Sequence, residues 1–205
     1  MTELDFTHRF IPAKADRAAR TLLLLHGTGG NENDLLDLGH AIDPDAALLS
    51  PRGKVLENGV PRFFRRLAEG VFDEADVIAR ARELADFVDA AVAHYEIDAK
   101  KLVAVGYSNG ANIASAMVLL GIAKFPEAIL FRAMVPLSQT SPVDLAGARI
   151  LISAGEFDPI AQPDITKALA ELFREGGADV TLKFQPAGHE LTPRDVALAR
   201  QWLGL

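Results

Sequence analysis

The sequence predicts an α/β protein whose mostly parallel sheet carries helices on both faces. Three short apolar runs, at residues Thr21–Leu25, 102–105 and 150–152, each end at a turn that contains glycine. Continuous apolar runs of this length are typical of strands that are buried on both faces, as in a parallel sheet. Helical patterns lie between these runs, so strand and helix alternate over nearly the whole chain. This alternation predicts a doubly wound sheet with right-handed crossovers.

Weaker apolar runs predict further strands at residues 47–49, 133–135 and 180–184. A helix of about five turns is predicted by apolar residues that recur at steps of three or four, namely Val77, Ala81, Leu84, Val88, Ala91 and Tyr95. Similar patterns predict helices at residues 33–41, 111–120, 164–175 and 193–202. The pair Gly176-Gly177 is a good C-terminal stop for the third of these.

Residues 51–74 do not fit the alternation. They contain several glycine and proline residues and the run Arg62-Phe63-Phe64-Arg65-Arg66, and we expect a structureless loop. A loop of this length is uncommon in a compact domain and is often functional. It follows the strand at residues 47–49, so it should lie at the carboxyl ends of the strands, where open α/β sheets bind ligands.

Length, composition and charge limit the classes of function. The 205 residues suit one domain spanning residues 1–205. The absence of cysteine excludes a disulfide scaffold, a thiolate metal site and a cysteine nucleophile. A net charge of −7 disfavours non-specific binding to nucleic acid. No apolar stretch reaches the roughly 20 residues of a membrane span, and the N-terminus has no signal-peptide pattern. We expect a cytoplasmic protein, and the sequence leaves a homodimer open.

A candidate nucleophile follows the buried run at residues 102–105. The pattern Gly106-x-Ser108-x-Gly110 lies between this strand and a helix rich in small residues, which matches a nucleophile elbow. The strained turn of an elbow presents a serine hydroxyl above the sheet edge, and a side chain two positions to either side would clash with the opposing backbone. The alternative is a glycine turn with an N-capping serine. The flanking strand and helix favour the elbow.

The candidate oxyanion hole involves a second glycine-rich turn. His26-Gly27-Thr28-Gly29-Gly30 follows the first buried strand. In an acyl-transfer site of this plan, one donor is the N–H after the nucleophile and the other comes from the loop after an early strand. This predicts the backbone N–H groups of Asn109 and Thr28 as donors. The alternative is a phosphate-binding turn, but the P-loop lysine and the G-x-G-x-x-G pattern are both missing from the sequence.

The candidate base is His189. It lies in a glycine-led loop after the last strand, where an imidazole can reach a serine at the sheet edge. The alternative is a histidine in a surface loop. Of the other four histidines, we expect His26 to make a structural hydrogen bond, and His8, His40 and His94 to lie at the surface.

The candidate acid is Asp158. It lies just past the buried strand at residues 150–152, and Pro159 prevents direct continuation into a helix. A carboxylate at this place would fix the tautomer of the imidazole and stabilise the imidazolium. Glu156 is the rival within the same segment. The chain order Ser108, Asp158, His189 is that of the α/β-hydrolase fold.

With these motifs the chain resembles the small α/β-hydrolases of the phospholipase/carboxylesterase family, which also includes acyl-protein thioesterases. The resemblance runs from about residue 21 to the C-terminus and rests on residues 26–30, 106–111, 155–160 and 188–191. The chain is similar in more detail to a bacterial carboxylesterase branch linked to hydroquinone and quinone resistance, through residues 29–36, 52–59 and 62–66. The resemblance implies that Ser108, Asp158 and His189 form the triad, with Thr28 and Asn109 as oxyanion donors. The thioesterase type usually has Gln and Leu where this chain has Asn109 and Thr28.

Pocket size follows from what lies between the predicted elements. Many lipases carry a helical cap before the acid, but only residues 138–148 occupy this place, so we expect no cap domain. The candidate substrate-binding residues come from the long loop and are Phe63, Phe64, Arg65 and Arg66. With Arg62, the arginines either serve an anionic substrate group or pair with Glu69, Asp73, Glu74 and Asp76. Phe63, Phe64 and Phe72 are either pocket wall or core.

These observations predict a serine carboxylesterase that hydrolyses short-chain, soluble esters through a Ser-Asp-His triad and an acyl-enzyme. The partner is then a small-molecule ester, and we expect no cofactor, no metal, no nucleic acid and no membrane. One alternative is an acyl thioesterase or lysophospholipase, and another is a non-catalytic ligand-binding protein on the same fold. A dienelactone-hydrolase mechanism would require a cysteine, and a dehalogenase would require an aspartate in place of Ser108.

Overall fold

The computed structural model describes residues 4–14, 19–123, 125–138 and 143–205. Residues 1–3, at the N-terminus where no signal peptide is expected, lie outside the described residues. So do residues 139–142, in the segment expected to be too short for a cap. Within the described part of the chain, no helix is both long and apolar enough to span a membrane.

Seven strands form the central sheet in the order β1-β3-β2-β8-β9-β10-β11. They are β1 (His8–Ile11), β2 (Thr21–Leu25), β3 (Ala47–Pro51), β8 (Leu102–Tyr107), β9 (Glu127–Phe131), β10 (Arg149–Gly155) and β11 (Asp179–Gln185). The edge strand β1 pairs antiparallel with β3, and the other six strands are parallel. The strand order reverses direction beside β2, so the carboxyl ends of β2 and β8 lie next to each other, with β3 beyond β2.

Helices cover both faces of the sheet. They are α1 (Leu36–Ile42), α2 (Glu74–His94), α3 (Asn109–Leu119), α4 (Pro163–Glu175) and α5 (Pro193–Leu203), with one short 3-10 turn at Ala99–Lys101. Side chains alternate between the faces of a strand. Leu22 and Leu24 of β2 accordingly belong to the core beneath α1 and α5, whereas Leu23 and Leu25 belong to the core beneath α2, α3 and α4. The doubly wound α/β-hydrolase architecture is therefore confirmed, and the described part of the chain contains no separate cap domain.

The prediction of a strand at residues 133–135 is wrong. The strand lies earlier, in β9, and ends at Phe131; the next residue, Arg132, has φ 56°, which turns the chain away from the sheet. The apolar run that follows is buried but forms hydrogen bonds with side chains. The N–H of Met134 donates to Asn112 Oδ1 at 2.8 Å, and Ala133 O accepts from the Thr166 hydroxyl at 3.0 Å. Burial without a strand explains why the composition alone was misleading.

Residues 51–74 are not a structureless loop. They form two antiparallel hairpins, one from β4 (Val55–Glu57) and β5 (Val60–Arg62), the other from β6 (Arg66–Ala68) and β7 (Val71–Phe72). The turns contain Asn58, Gly59 and Gly70, all with positive φ. Their strands have only two or three residues and exposed apolar side chains, so no apolar period marks them in the sequence. The hairpins lie beside the carboxyl ends of the strands, as expected for this segment.

Candidate active site

Ser108 lies at the turn between β8 and α3. It has φ 52° and ψ −113°, a strained conformation for a residue with a side chain, and it is the residue before the first turn of α3. A Cβ atom at Gly106 would lie 2.6 Å from the backbone of Ala111, and one at Gly110 would overlap the carbonyl oxygen of Leu25. The expected need for glycine on both sides of the serine is therefore confirmed. The close approach of β2 and α3 holds the serine at the sheet edge.

A continuous chain of hydrogen bonds joins the three candidate triad side chains. Nε2 of His189 lies 2.8 Å from Oγ of Ser108, and Nδ1 lies 2.8 Å from Oδ2 of Asp158. The other carboxylate oxygen of Asp158 accepts from the N–H groups of Ile160 and Ala161 at 2.8 and 2.9 Å. The carboxylate is fully buried. Its contacts with the imidazole and the two N–H groups fix its orientation. This arrangement leaves Nε2 of the imidazole free to accept a proton from the serine hydroxyl.

The two candidate acids differ in burial and in their contact with His189. Asp158 is buried and contacts the imidazole, whereas Glu156 is exposed just past the end of β10. The two residues differ because the N–H of Glu156 donates to Gln185 O and the N–H of Phe157 donates to Ala187 O. These bonds turn the chain so that only the side chain at position 158 faces the His189 loop.

The loop that carries His189 is held from below by Arg132. This fully buried guanidinium donates to the carbonyl oxygens of Gly188 and Glu190, at 3.0 and 2.6 Å, on either side of the histidine. It also forms a two-pronged ion pair with Asp195, with both N–O distances 2.9 Å. The hydroxyl of Tyr107 donates to the carbonyl oxygen of His189 itself at 3.1 Å. Three consecutive carbonyl groups are thereby fixed, and with them the position of the imidazole.

Asp195 receives hydrogen bonds from several sides in the interior. Burial alone would raise the pKa of its carboxyl group, but hydrogen bonds from Arg132, Ser153 and Thr192 outweigh this effect, and the pKa lies below its ordinary value. The bond from the Ser153 hydroxyl measures 2.6 Å, and the N–H of Thr192 donates at 2.8 Å. Sequence reasoning missed both Arg132 and Asp195. The available signal was a single arginine between the apolar runs at residues 128–131 and 133–135, because a charge inside a buried apolar stretch requires a buried partner.

The candidate oxyanion donors lie on either side of Ser108. Asn109 is the first residue of α3, and the first N–H groups of a helix have no acceptor within the helix. Thr28 occupies a turn closed by the bond from the N–H of Gly30 to Gly27 O at 3.1 Å, which does not use the N–H of Thr28. Both residues line the same cavity as Ser108 and His189. The structure thus brings all five predicted catalytic positions together.

His26 makes the structural hydrogen bonds expected of it. Its Nε2 accepts from the N–H of Gly53 at 2.9 Å, and its Nδ1 donates to Gly27 O at 2.7 Å. Burial lowers the pKa of the imidazole, which keeps the neutral form that this pattern of one donor and one acceptor needs. His94 is exposed as expected. His8 is not at the open surface, because its Nε2 lies 2.7 Å from the Tyr95 hydroxyl against α2.

The cavity beside Ser108 has a volume of about 190 Å³. Of the four candidate substrate-binding residues, Arg66 lines it. The prediction that Phe63 and Phe64 bind substrate is wrong, because they are 3% and 0% exposed and belong to the core. The same prediction is wrong for Arg65, which does not line the cavity and pairs with Asp73 at 2.5 Å. Within the described residues, the apolar part of the lining comes from other side chains, namely Phe72, Met134 and Ile160.

Arg62 also lines the cavity and is only 2% exposed. Neither Arg62 nor Arg66 pairs with the acidic residues expected for the segment. Both pair instead with Glu57 on the first hairpin, with N–O distances of 3.3 and 2.8 Å. Burial lowers the pKa of the Arg62 guanidinium; the charge of Glu57 opposes this shift and the charge of Arg66 adds to it.

The family assignment rests on nearly the whole chain and not on the site alone. The model of the phospholipase/carboxylesterase family matches residues 6–205. The chain belongs to this family. It is similar to a protein described as the putative hydrolase MhqD of Bacillus subtilis (strain 168), with 49% identity over 181 residues that cover 88% of this chain and 90% of that protein.

Solved structures of similar length share the fold of this phospholipase/carboxylesterase member. The carboxylesterase of Bacillus cereus superposes with a TM-score of 0.92 at 45% identity, covering 98% of this chain and 94% of that one. The structure of YahD with malic acid superposes with a TM-score of 0.91 at 30% identity, covering 97% and 98%. The chain is therefore a carboxylesterase-like hydrolase of the α/β-hydrolase fold. Among the residues that the structure describes, no group of three or more His, Asp or Glu side chains is placed to hold a metal ion.

Proposed function

We propose that the protein is a serine carboxylesterase that hydrolyses short, soluble carboxylic esters through an acyl-enzyme. The observation that carries the proposal is the hydrogen-bonded chain from Asp158 through His189 to Ser108, with both links 2.8 Å long. Each link has the geometry that its role requires: a buried acid on Nδ1 and a hydroxyl on Nε2.

In the first half of the reaction, Oγ of Ser108 bonds to the carbonyl carbon of the ester while Nε2 of His189 takes the hydroxyl proton. The N–H groups of Thr28 and Asn109 stabilise the negative charge that develops on the carbonyl oxygen. When the tetrahedral intermediate collapses, the bond to the alcohol oxygen breaks and the imidazolium returns its proton to that oxygen. The alcohol leaves, and the acyl group stays on the serine.

In the second half, water takes the place of the alcohol. His189 accepts a proton from the water as its oxygen bonds to the acyl carbon, and the same two N–H groups stabilise the new oxyanion. Collapse breaks the bond to Oγ, which regains its proton from the imidazolium, and the carboxylic acid is released. Asp158 stays ionised throughout, because it orients the imidazole and stabilises its charged form.

The size of the site supports a short substrate. The cavity of about 190 Å³ lies below the roughly 300–1,000 Å³ of sites for drug-sized ligands. Its wall combines apolar side chains with arginine and asparagine groups, which suits a polar acyl or alcohol part. YahD, which has the same fold, was solved with malic acid, a small polar molecule. We expect kcat/KM to fall once an acyl chain outgrows the cavity, by a graded amount, since each methylene contributes about 1–3 kcal/mol at most.

The test is a panel of p-nitrophenyl esters of increasing acyl length, run beside fluorophosphonate labelling read by intact mass. The wild type should hydrolyse the shortest esters fastest and gain one label. Ser108→Ala should abolish both signals with unchanged circular dichroism. Ser115→Ala is the matched control, because Ser115 is a buried serine of the same helix whose hydroxyl donates to Ala111 O. Its variant should keep activity and labelling.

Three results would replace the proposal. Labelling that persists in Ser108→Ala would assign another nucleophile. Activity that rises with long acyl chains, micelles or thioesters would indicate a lysophospholipase or an acyl thioesterase. An intact protein that binds small esters but neither turns them over nor takes the label would be a ligand-binding protein on this fold.

A further inference from the structure

The cavity beside Ser108 contains two arginine side chains of different exposure. Arg62 is almost fully buried, and its Nε donates to Phe64 O at 3.1 Å. Arg66 is one-third exposed, and its Nε donates to Glu57 Oε1 at 2.8 Å. Both line the cavity together with the nucleophile. Burying a guanidinium costs free energy unless acceptors surround it. The acceptors around Arg62 therefore indicate whether the protein alone satisfies this group or a ligand is needed.

The acceptors within the protein do not balance the two positive charges. Glu57 is the one carboxylate that pairs with both Arg62 and Arg66 among the described residues, and it leaves one positive charge over. The other titratable groups that line the cavity are His189, which is hydrogen-bonded to Ser108, Tyr107 and Glu69. Burial raises the pKa of the Tyr107 hydroxyl, which keeps it neutral. Glu69 is exposed, so solvent and salt screen its charge. The buried side of the cavity is therefore electropositive.

A buried donor at the cavity also lacks an acceptor. Among the described residues, Nδ2 of Asn109 has no hydrogen-bond partner, whereas Nη1 of Arg62 lies at an ion-pair distance of 3.3 Å from Oε2 of Glu57 without forming a hydrogen bond. Asn109 is 2% exposed, and its Oδ1 is already used by the N–H of Phe63 at 2.7 Å. Buried polar groups are nearly always hydrogen-bonded, so an amide donor without an acceptor at a cavity that two arginines line indicates a ligand with acceptor oxygens.

We propose that Arg62, with Arg66 beside it, forms a carboxylate subsite, and that the preferred substrates are small esters that carry a second, ionised carboxylate. The proposal rests on the proposed esterase function and adds the substrate class to it. A carboxylate offers two oxygens with about four lone-pair positions, which matches the fork of a guanidinium. It also neutralises the excess charge that Glu57 leaves.

The subsite is rigid with respect to the catalytic groups. Arg62 ends β5, whose pairing with β4 fixes its backbone opposite Val55. The next residue, Phe63, is tied through its N–H to Asn109, which is also a candidate oxyanion donor. A carboxylate held by Arg62 is thereby positioned with respect to the reacting carbonyl before the reaction begins. Positioning of this kind raises kcat/KM without further rearrangement.

The experiment compares esters that differ only in charge. Monomethyl succinate is paired with methyl 4-methylpentanoate, and acetoxyacetate with isobutyl acetate, so that in each pair a carboxylate replaces an isopropyl group of similar shape. We measure kcat/KM from the alcohol that each ester releases, which is methanol, glycolate or isobutanol. The proteins compared are the wild type, Arg62→Gln, Arg62→Lys and Arg66→Gln. The control is Arg80→Gln on α2, whose side chain is exposed to a similar degree as that of Arg66 and pairs with Asp76 and Glu83.

The wild type should prefer at least one anionic ester over its neutral partner. Arg62→Gln should lower kcat/KM for that ester by about 10- to 100-fold while the neutral ester changes by less than about 3-fold. Arg66→Gln should give a smaller selective loss, since that side chain is partly solvated, and Arg62→Lys should restore part of the preference. Arg80→Gln should change neither ester. If Arg62→Gln does not fold, the selective loss in Arg66→Gln carries the test.

A binding measurement separates this inference from the proposed function. Succinate and the uncharged succinamide are titrated into the Ser108→Ala variant by calorimetry, with and without Arg66→Gln. Succinate should bind more tightly, and Arg66→Gln should weaken it. If no ester is hydrolysed but this difference holds, the subsite stands and the esterase proposal falls. If neutral esters are hydrolysed at least as well as anionic ones and succinate binds no better than succinamide, the subsite is overturned and the esterase proposal stands.

Discussion

Replacing Arg132 with methionine should destabilise the protein more than any change of a surface arginine. The guanidinium makes five hydrogen bonds: two to the carboxylate of Asp195 and one each to the carbonyl oxygens of Ser153, Gly188 and Glu190. Both side chains of the ion pair are 0% exposed. Methionine has a similar length, so the variant removes the charge and the donors while leaving little empty space.

The magnitude follows from what is left behind. Breaking a buried ion pair at one partner costs about 3–5 kcal/mol, because the other charge stays buried without compensation. This is a large part of the roughly 5–15 kcal/mol by which a domain is stable. With an m-value of about 2–3 kcal/mol per molar urea, the midpoint of unfolding should fall by about 1–2.5 M. Arg149, which pairs with Glu127 at the surface, provides the control. Arg149→Gln should cost at most about 1 kcal/mol.

The assay is equilibrium unfolding in urea, followed by fluorescence and circular dichroism, with ester hydrolysis measured in the absence of urea. Arg132→Met should also lower kcat in the folded fraction, because the carbonyl groups on either side of His189 lose their donor. The double variant Arg132→Met/Asp195→Leu should recover part of the stability, since no buried charge remains, but little of the activity. A loss of less than about 1 kcal/mol in Arg132→Met would refute the reasoning, as would full activity with the stability loss.

Three further predictions concern the acid, the elbow and the pH dependence of stability. Asp158→Asn should lower kcat by orders of magnitude, about 10⁴-fold in the serine protease precedent, whereas Glu156→Gln should have little effect; the reverse ranking in ester hydrolysis would reassign the acid. Gly110→Ala should give little folded protein in a thermal-shift assay, because its Cβ would overlap the backbone of Leu25, whereas Gly147→Ala, which meets no atom but has φ 86°, should cost only about 1 kcal/mol. The depressed pKa of Asp195 contributes stability that is present above its unfolded pKa of about 3.9 and lost as the pH falls through its folded pKa. Urea midpoints of Asp195→Asn should therefore fall less steeply below pH 4 than those of the wild type, and parallel curves would contradict this assignment.

The elements that the sequence predicts well are those whose burial is continuous. β2 has the predicted bounds, and β8 and β10 differ by one to three residues, because each contains an uninterrupted buried run. The half-buried β11 also differs by only one residue at each end. The edge strand β1 was missed, since it is half exposed and has only four residues. The false strand at residues 133–135 shows the opposite error. There an apolar run is buried, but its backbone bonds to Asn112 and Thr166, and nothing in the run itself encodes partners so far away in sequence.

For the site, the sequence indicated the residues whose roles depend on local chain geometry. The glycines around Ser108 and the strand-end position of Asp158 are local signals, and the structure brings these residues to the predicted places. The lining of the cavity depends instead on how the hairpins fold back. Phe63 and Phe64 turn into the core, and Arg62 and Arg66 share Glu57, which lies across the first hairpin. These outcomes depend on the turns that form the hairpins and on the distant contact of the Phe63 N–H with Asn109, so the spacing of residues in the sequence could not distinguish them.

Backbone hydrogen bonds help to attach the hairpin segment to the rest of the domain, beside the core packing of Phe63 and Phe64. Pro61 O accepts from the N–H of Gly29 at 2.8 Å, and the N–H groups of Gly53 and Phe63 donate to His26 and Asn109. Side chains of the segment that face the cavity can therefore be exchanged while these bonds are kept. The exceptions are Gly53, where a Cβ would overlap Arg62, and the core residues Phe63 and Phe64. A library at the hairpin positions facing the cavity would sample new selectivities without moving the oxyanion donors. Divergence among natural homologues can follow the same route, with the wall changing from one substrate to another over a fixed reaction centre.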